Sequence, residues 1–293
     1  MTAKKPLIGF VGQGYVGGSY ANNFEARGFS VVRYSLEPKW VGNKKKIRDC
    51  DIVFVCVPTP TTPKGFDISI VRSGLSLVGK GKIAIIKSTV QPGTTKALQK
   101  RFPGKIILCS PEFLSVATAQ HDADHPFSNI IGIPSANKKH KSAARSVLGT
   151  LPKTPFSLIA DSNEAELIKY AHNMSGYTQV LTFNLIYDMA QYQRSRWEPI
   201  QKAIEADPLV CNRYANPIHK SGRGAGGACF IKDMAAFARL YEKTVRRPEG
   251  LAFLKAAQKN NIALLTETGK DLHLLADVYG GFAARSKNRK KRK

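Results

Sequence analysis

Leu7-Ile-Gly-Phe-Val11-Gly12-Gln-Gly14-Tyr15-Val16-Gly17 decides the fold: a short apolar run, three spaced glycines, then a helical pattern. Strand, G-x-G-x-x-G and helix, in that order, are what a dinucleotide pyrophosphate requires. Gly12 permits the tight turn, Gly14 lets the backbone approach the phosphates, Gly17 allows close helix packing, and the helix N-terminus faces the negative charge. Glycines also mark any sharp turn, so the strand before and the helix after are what make the motif specific. Gly12, Gly14, Tyr15, Val16 and Gly17 are expected to line a bound NAD.

Outward from this loop, short β-branched runs alternate with helical periodicity as far as Ala160, the pattern of a parallel sheet covered by helices. Strands are expected at Leu7–Val11, Ser30–Tyr34, Ile52–Val57, Ile83–Lys87, Ile106–Cys109, Asn129–Gly132 and Phe156–Ala160. The fold class is α/β, a Rossmann-type doubly wound sheet. Asp161-Ser-Asn-Glu164 then starts a helical pattern that runs toward Arg194, as one long helix or two stacked end to end. Further helices are expected over Asp233–Thr244 and Pro248–Thr266. The division is a dinucleotide domain (1–160), a helical domain built on the long central helix (161–283) and a basic tail (284–293).

After the second strand comes Val32-Arg33-Tyr34-Ser35-Leu36-Glu37, where an acid normally binds the adenosine ribose. With Ser35 in that place and Arg33 and Lys39 near, a 2′-phosphate is tolerated and NADP becomes an alternative. If Glu37 reaches back, NAD is favoured. A third reading makes these loop residues without ribose contact.

The 293 residues, 43% of them hydrophobic, suffice for one core or two smaller ones. No apolar run approaches the roughly 20 residues that cross a bilayer, and the start leads into a strand rather than a signal sequence, so a cytoplasmic protein without membrane contact is expected. Five cysteines without a C-x-x-C pair argue against a disulfide framework and a structural zinc site, and no metal is expected. The net charge of +24 exceeds what a small-molecule enzyme needs. Part of it is Arg285-Ser-Lys-Asn-Arg-Lys-Lys-Arg-Lys293, a self-repelling block expected to be disordered. This tail either binds nucleic acid, an acidic partner or an import receptor, or only solubilises. Lys44-Lys45-Lys46 and Lys138-Lys139-His140-Lys141 read as solvated surface.

Gly222-Arg-Gly224-Ala-Gly226-Gly227-Ala-Cys229-Phe-Ile-Lys232-Asp233 sets a cysteine where a glycine loop gives way to a helix. A helix N-terminus and a nearby lysine both stabilise a thiolate, which makes Cys229 the candidate nucleophile. Cys50, Cys56, Cys109 and Cys211 read as small buried hydrophobes.

This segment resembles the G-x-G-F-G-G-x-C-x-P-K-D signature of the UDP-glucose/GDP-mannose dehydrogenase family. Five other blocks are similar to that family in the same order: Gly12–Gly17, Val57-Pro-Thr59-Pro-Thr61, Ser88-Thr89-Val90-Gln-Pro92-Gly93-Thr94, Ser110-Pro111-Glu112-Phe113-Leu114, and Ala165-Glu166-Leu-Ile-Lys169-Tyr-Ala-His-Asn173. The resemblance implies oxidation of a nucleotide sugar's primary alcohol to an acid in two hydride transfers, for polysaccharide or glycan synthesis. Cys229 captures the aldehyde as a thiohemiacetal that becomes a thioester. Lys169 and Asn173, one helical turn apart, present an ammonium and an amide to the oxyanion, unless they are a polar stripe of an exposed helix. Thr89 orients the reacting hydroxyl or a water, and Glu112 is the general base for thioester hydrolysis. Asp233 positions a water or Lys169. Gly226, with Glu112, Lys169 and Asn173, contacts the substrate, while Ser35, Thr59, Thr89 and Lys232 lie by the cofactor. A homodimer through the long helix is implied as well.

Three departures stand beside the resemblance. The family's further Rossmann-like domain does not fit in the remaining length, Ser115-Val116-Ala117 offers no second carboxylate, and Ala225 and Ile231 replace the usual aromatic and proline. GDP-mannose oxidation, a β-hydroxyacid-type dehydrogenase that leaves Cys229 idle, and a catalytically weak, basic binding protein are the competing readings.

Overall fold

A computed structural model describes residues 5–220 and 222–281, the Asn212 side chain excepted. The basic stretch 285–293 lies outside the described residues. Contacts divide the chain into two units: Asp67–Lys169 with the residues up to Thr59, and Pro60–Phe66 with the residues from Tyr170 onward.

In chain order the elements begin β1 (Ile8–Val11), α1 (Tyr15–Ala26), β2 (Val31–Tyr34), the single-turn α2 (Pro38–Val41) and β3 (Ile52–Val55). A small hairpin of β4 (Thr61–Thr62) and β5 (Gly65–Phe66) belongs to the second unit. The first unit resumes with α3 (Ser69–Ser76), β6 (Ile83–Ile86), α4 (Thr94–Arg101), β7 (Ile106–Cys109), α5 (Ala119–Asp124), β8 (Ser128–Ile133), α6 (Lys138–Thr150), β9 (Phe156–Asp161) and the start of α7 (Ser162–Tyr192). All the strands expected from the sequence form; the hairpin is additional.

The large sheet has the order β2-β1-β3-β6-β7-β8-β9. Strand order reverses between β1 and β3, and the crevice beyond their carboxyl ends is where ligands of doubly wound sheets bind. One pairing departs from the all-parallel expectation: β8 meets β7 antiparallel through Cys109 and Gly132. A parallel return needs a covering helix long enough to carry the chain back along the strand. The connection holds a three-residue 3-10 turn (Val116–Thr118) and the six-residue α5, the latter about 9 Å long at 1.5 Å per residue. The longer α6, of 13 residues, makes the parallel crossover from β8 to β9.

Both sheet faces are buried, which explains why β1, β3 and β6 read as continuous apolar runs. On one face Ile8, Phe10, Ile52, Phe54, Ile85 and Leu108 meet α1 and α6 through Tyr20, Phe24, Ala144 and Val147. Phe10 stacks on Phe54 at 5.0 Å between ring centroids, and Phe24 lies 5.4 Å from Phe54.

Asp161 and Glu164 start α7 as a capping box: the Asp161 N–H donates to Glu164 at 2.9 Å, and the Asn163 N–H donates to Asp161 at 2.9 Å. The helix is a single one of 31 residues. From Tyr170 it belongs to the second unit, with α8 (Trp197–Ala206), α9 (Gly227–Thr244), α10 (Pro248–Thr268) and α11 (Leu272–Tyr279). Tyr177, Leu181, Met234, Ala238, Leu254 and Leu264 form the core between α7, α9 and α10. Gly176 admits the Phe230 and Tyr214 rings against α7, where a Cβ would sit 2.8 Å and 3.0 Å from them.

Phe54→Ala should cost about 3–5 kcal/mol, because the vacated ring space is bounded by two other rings and a sheet that cannot collapse into it. Urea unfolding of the two proteins measures the difference.

Candidate functional site

Gly14 is the N-cap of α1, whose first turn has no acidic residue and no side-chain cap. Among the described residues no side chain caps its N–H groups at the positive end of the helix dipole, and a Cβ at Gly14 would touch nothing within 4 Å. Gly12, at φ +94°, is the tight point: a Cβ would fall on the Cys56 carbonyl beyond β3, and one at Gly17 would fall on the Gly12 carbonyl. Gln13 lends a further polar atom, since its amide donates to the Gly12 carbonyl at 3.0 Å while Oε1 is buried without a hydrogen-bond partner. The cradle fits a dinucleotide phosphate.

At the end of β2, Ser35 Oγ accepts from the Glu37 N–H at 3.3 Å, and Glu37 is exposed. Arg33 is bound elsewhere, donating to Glu25 at 2.6 Å and to Asn22 at 2.8 Å, and Lys39 lies over the Trp40 ring. A 2′-phosphate would have to draw Arg33 out of that pairing, so the arrangement favours NAD.

The loops after β3 and β6 are laced together. Ser88 Oγ donates to the Val57 carbonyl at 2.6 Å and accepts from the Val57 N–H, while Thr59 Oγ donates to the Thr89 carbonyl at 2.8 Å. The turn that follows Thr89 is fixed by Glu166 of α7, which accepts from the Gly93 N–H (2.7 Å), the Thr95 N–H (2.8 Å) and the Thr95 hydroxyl (2.6 Å). Burial nonetheless raises the Glu166 pKa. Thr89, Pro111, Glu166 and Lys169 line one small cleft, and the Lys169 ammonium lies 5.3 Å from the centre of the Phe113 ring.

Glu112 is more constrained than its sequence role implies. It pairs with Lys87 at 2.7 Å, accepts from the Phe113 and Leu114 N–H groups at 2.8 and 3.1 Å, and accepts from the Tyr20 hydroxyl. A carboxylate has about four lone-pair positions, and these donors use them all. Burial pushes the Glu112 pKa up, but the adjacent Lys87 ammonium and the hydrogen bonds outweigh it and hold the group below the ordinary glutamate range. Lys87, its side chain 2% exposed, was not anticipated. The available signal was a lysine at the end of an otherwise apolar strand.

In the second unit Cys229 is the third residue of α9 and is exposed. One turn on, Asp233 is fully buried; it accepts from the Asn173 amide at 2.6 Å and pairs with Lys232 at 2.5 Å. Asn173, Lys232 and Asp233 are thus joined, and the helix brings Cys229 onto the Asp233 face. Burial lifts the thiols of Cys50, Cys56 and Cys109 to about 11, 12 and 12, as suits inert core groups. Cys211 corrects the sequence reading: it is exposed, in the connection after α8. Gly226, the N-cap of α9, is closely approached by Lys270 and Asp271. Among the described residues no three His, Cys, Asp or Glu side chains gather in a metal-binding group, and no helix is long and apolar enough to cross a membrane.

Residues 36–150 match the NAD-binding domain of the UDP-glucose/GDP-mannose dehydrogenase family, and residues 163–263 match its central domain. The UDP-glucose 6-dehydrogenase of Rickettsia conorii is 28% identical over 206 residues, covering 67% of this chain and 46% of that protein. The chain therefore spans less than half the length of this relative. Among solved structures, a UDP-glucose dehydrogenase from Pyrobaculum islandicum aligns with a TM-score of 0.78 at 24% identity, over 96% of this chain and 72% of that one. The 3-hydroxyisobutyrate dehydrogenase of Mycobacterium tuberculosis aligns at 0.70 and 16% identity, over 94% and 99%. At these identities the structural likeness speaks for the fold.

Lys87→Met should cost about 3–5 kcal/mol, since it leaves the Glu112 charge without its ion partner. Because the folded-state pKa of Glu112 is lowered, its contribution is complete above the unfolded value of about 4.3 and is lost as pH falls through the folded value. Urea titrations from pH 7 to pH 3 should show the stability gap between wild type and Glu112→Gln narrowing with acid.

Proposed function

Because the chain belongs to the UDP-glucose/GDP-mannose dehydrogenase family, we propose that it is a nucleotide-sugar dehydrogenase of the UDP-glucose 6-dehydrogenase kind, working through Cys229. One observation carries the mechanism: an exposed thiol in the first turn of α9, one turn from the buried Asn173–Asp233–Lys232 cluster. A thiol serving only as packing would have no reason to stand exposed beside a fixed set of polar groups.

Gly12, Gly14 and Gly17 with the start of α1 would hold the dinucleotide's phosphates, Tyr15 and Val16 would flank it, and Ser35, Thr59 and Thr89 would border its ribose and nicotinamide portions. Bound there, NAD supplies the two-electron acceptor for each of two oxidations. Thr89 orients the sugar's C6 hydroxyl. The Cys229 sulfur adds to the carbonyl carbon of the resulting aldehyde, and the oxygen takes up a proton or is held as an oxyanion. Lys169 donates to that oxygen, and Asn173 shares the task while Asp233 fixes its amide. The second oxidation leaves a thioester on Cys229. Water then adds to the thioester carbon and the carbon–sulfur bond breaks; one water proton returns to the sulfur as the thiol, the other leaves to solvent, and the carboxylate is released. Glu112, its lone pairs committed, is assigned to anchoring the 110–114 loop; activating water would cost it one of its partners. Lys232 serves the buried Asp233 carboxylate, and Gly226 keeps the substrate loop open.

The partner expected by resemblance is a second copy. A groove of about 280 Å³ between α7 and α10, lined by Leu181, Leu185, Phe253 and Ala257, is consistent with it, and Leu185, Met189 and Phe253 are more than half exposed. Light scattering should give a dimer mass for the wild type and a monomer mass for Leu185→Glu. A β-hydroxyacid-type activity stays as the second reading, favoured by the full-length likeness to the 3-hydroxyisobutyrate dehydrogenase fold.

NADH formation at 340 nm with UDP-glucose or GDP-mannose should give two reduced cofactors per sugar consumed. Cys229→Ser should abolish net acid production, whereas full activity in that variant defeats the covalent route and supports the second reading. Lys169→Ala should slow turnover about 10²- to 10³-fold, the usual loss for an oxyanion donor.

A further inference from the structure

The loop leading into α9 is gripped from one side by α10 and by the corner joining α10 to α11. Asn261 of α10, 2% exposed, brackets Ala225, accepting from its N–H at 2.7 Å and donating to its carbonyl at 3.0 Å. Thr268 accepts from the Arg223 N–H at 3.1 Å. The Lys270 ammonium donates to the Gly224 carbonyl at 2.9 Å, and Asp271 accepts from the Gly227 N–H at 2.7 Å. The alternate glycines of the loop are the contact points. A Cβ at Gly222 would meet Thr268, one at Gly224 would meet Asn261, and one at Gly226 would strike the Asp271 carboxylate. Thr268, Lys270 and Asp271 lie beyond the segment matched to the family's central domain, which ends at residue 263.

Gly227 is the first residue of α9, so Asp271 sets a carboxylate on the helix end from which Cys229 follows two residues later. Asp271 does so from a left-handed backbone, φ +52°. The sequence reading credited this helix end with stabilising a thiolate; the structure already has an anion there. We propose that Asp271 is a positioning residue that holds back ionisation of the Cys229 thiol by engaging the N-terminus of α9. Its charge opposes a second negative charge in the same turn, and its hydrogen bond takes an N–H that would otherwise face the thiolate. Among the described charges nearby, Lys232 pairs with Asp233 and Arg223 pairs with Asp188 of α7, while Lys270, which also donates to the Gly224 carbonyl, and His219 both interact with the Asp271 charge. Lys220 of the loop acts in turn on Lys270 and His219. The proposal rests on Cys229 as the nucleophile.

The test follows iodoacetamide modification of Cys229 against pH in the full chain, resolved by peptide mass spectrometry. Exposed Cys211 serves as an internal reference. Asp271→Asn should shift the Cys229 profile toward lower pH and speed modification at pH 7 about two- to five-fold, the range expected for a charge at a helix end. Cys211 should keep its rate, and Asp271→Glu should restore the wild-type profile. Asp271→Ser, which keeps an uncharged acceptor, repeats the test if the asparagine variant does not fold. An unmoved Cys229 profile, an equal change at Cys211, or loss of the fold in both neutral variants overturns the proposal in favour of a purely structural clamp. Turnover is not involved, so failure of the covalent mechanism shows separately, as acid production by Cys229→Ser.

Discussion

The buried carboxylate of Glu166 is the tie on which the first unit's working end depends. It closes the N-terminus of α4 with three hydrogen bonds and so couples the turn after Thr89 to the start of α7, the helix that carries Lys169. A group taken this far from water has to be satisfied completely, since a buried carboxylate missing its donors would be costly. The same economy governs Glu112, held by Lys87, Tyr20 and two backbone N–H groups. The cleft beside Thr89 and Lys169 is therefore bordered by a buried carboxylate with little freedom to rearrange.

Much of this was legible in the sequence where local chemistry decides the outcome. β-branched runs became strands because both faces of the sheet are covered, and Asp161 and Glu164 started α7 as a capping box requires. The glycine loop and the onset of α9 at the cysteine were equally local. What escaped was tertiary. Lys87 reads as the end of a strand until Glu112 is placed beside it, and Cys211 reads as a small hydrophobe until its connection proves exposed. The antiparallel β8 depends on the shortness of α5, a matter of a few residues that periodicity does not resolve. Asn261 and Asp271 are ordinary polar residues in the sequence, and only the fold brings them to the cysteine loop.

The two candidate halves differ in their electrostatics. Around the glycine loop the first turn of α1 holds no acidic residue and no side-chain cap, which leaves that helix dipole to a ligand's phosphates. At the start of α9 the corresponding position is filled by the chain's own carboxylate. Equivalent helix ends are thus put to opposite uses, one presented to an external anion and the other closed by an internal one. The large positive charge of the chain acts on top of this and favours the approach of anionic ligands.

The β4–β5 hairpin has a bearing on how the protein is made. Residues 60–66 lie early in the chain yet are part of the second unit, where Arg239 of α9 donates to the Thr62 carbonyl across 177 positions and also to the Val278 carbonyl. On a ribosome, the first unit's sequence emerges with this hairpin still lacking its neighbours, and they arrive only with the last helices. The second unit consequently cannot be completed as an autonomous C-terminal piece. Its closure awaits the whole intervening stretch, a long-range step of the kind that slows folding and favours a chain whose parts become stable together.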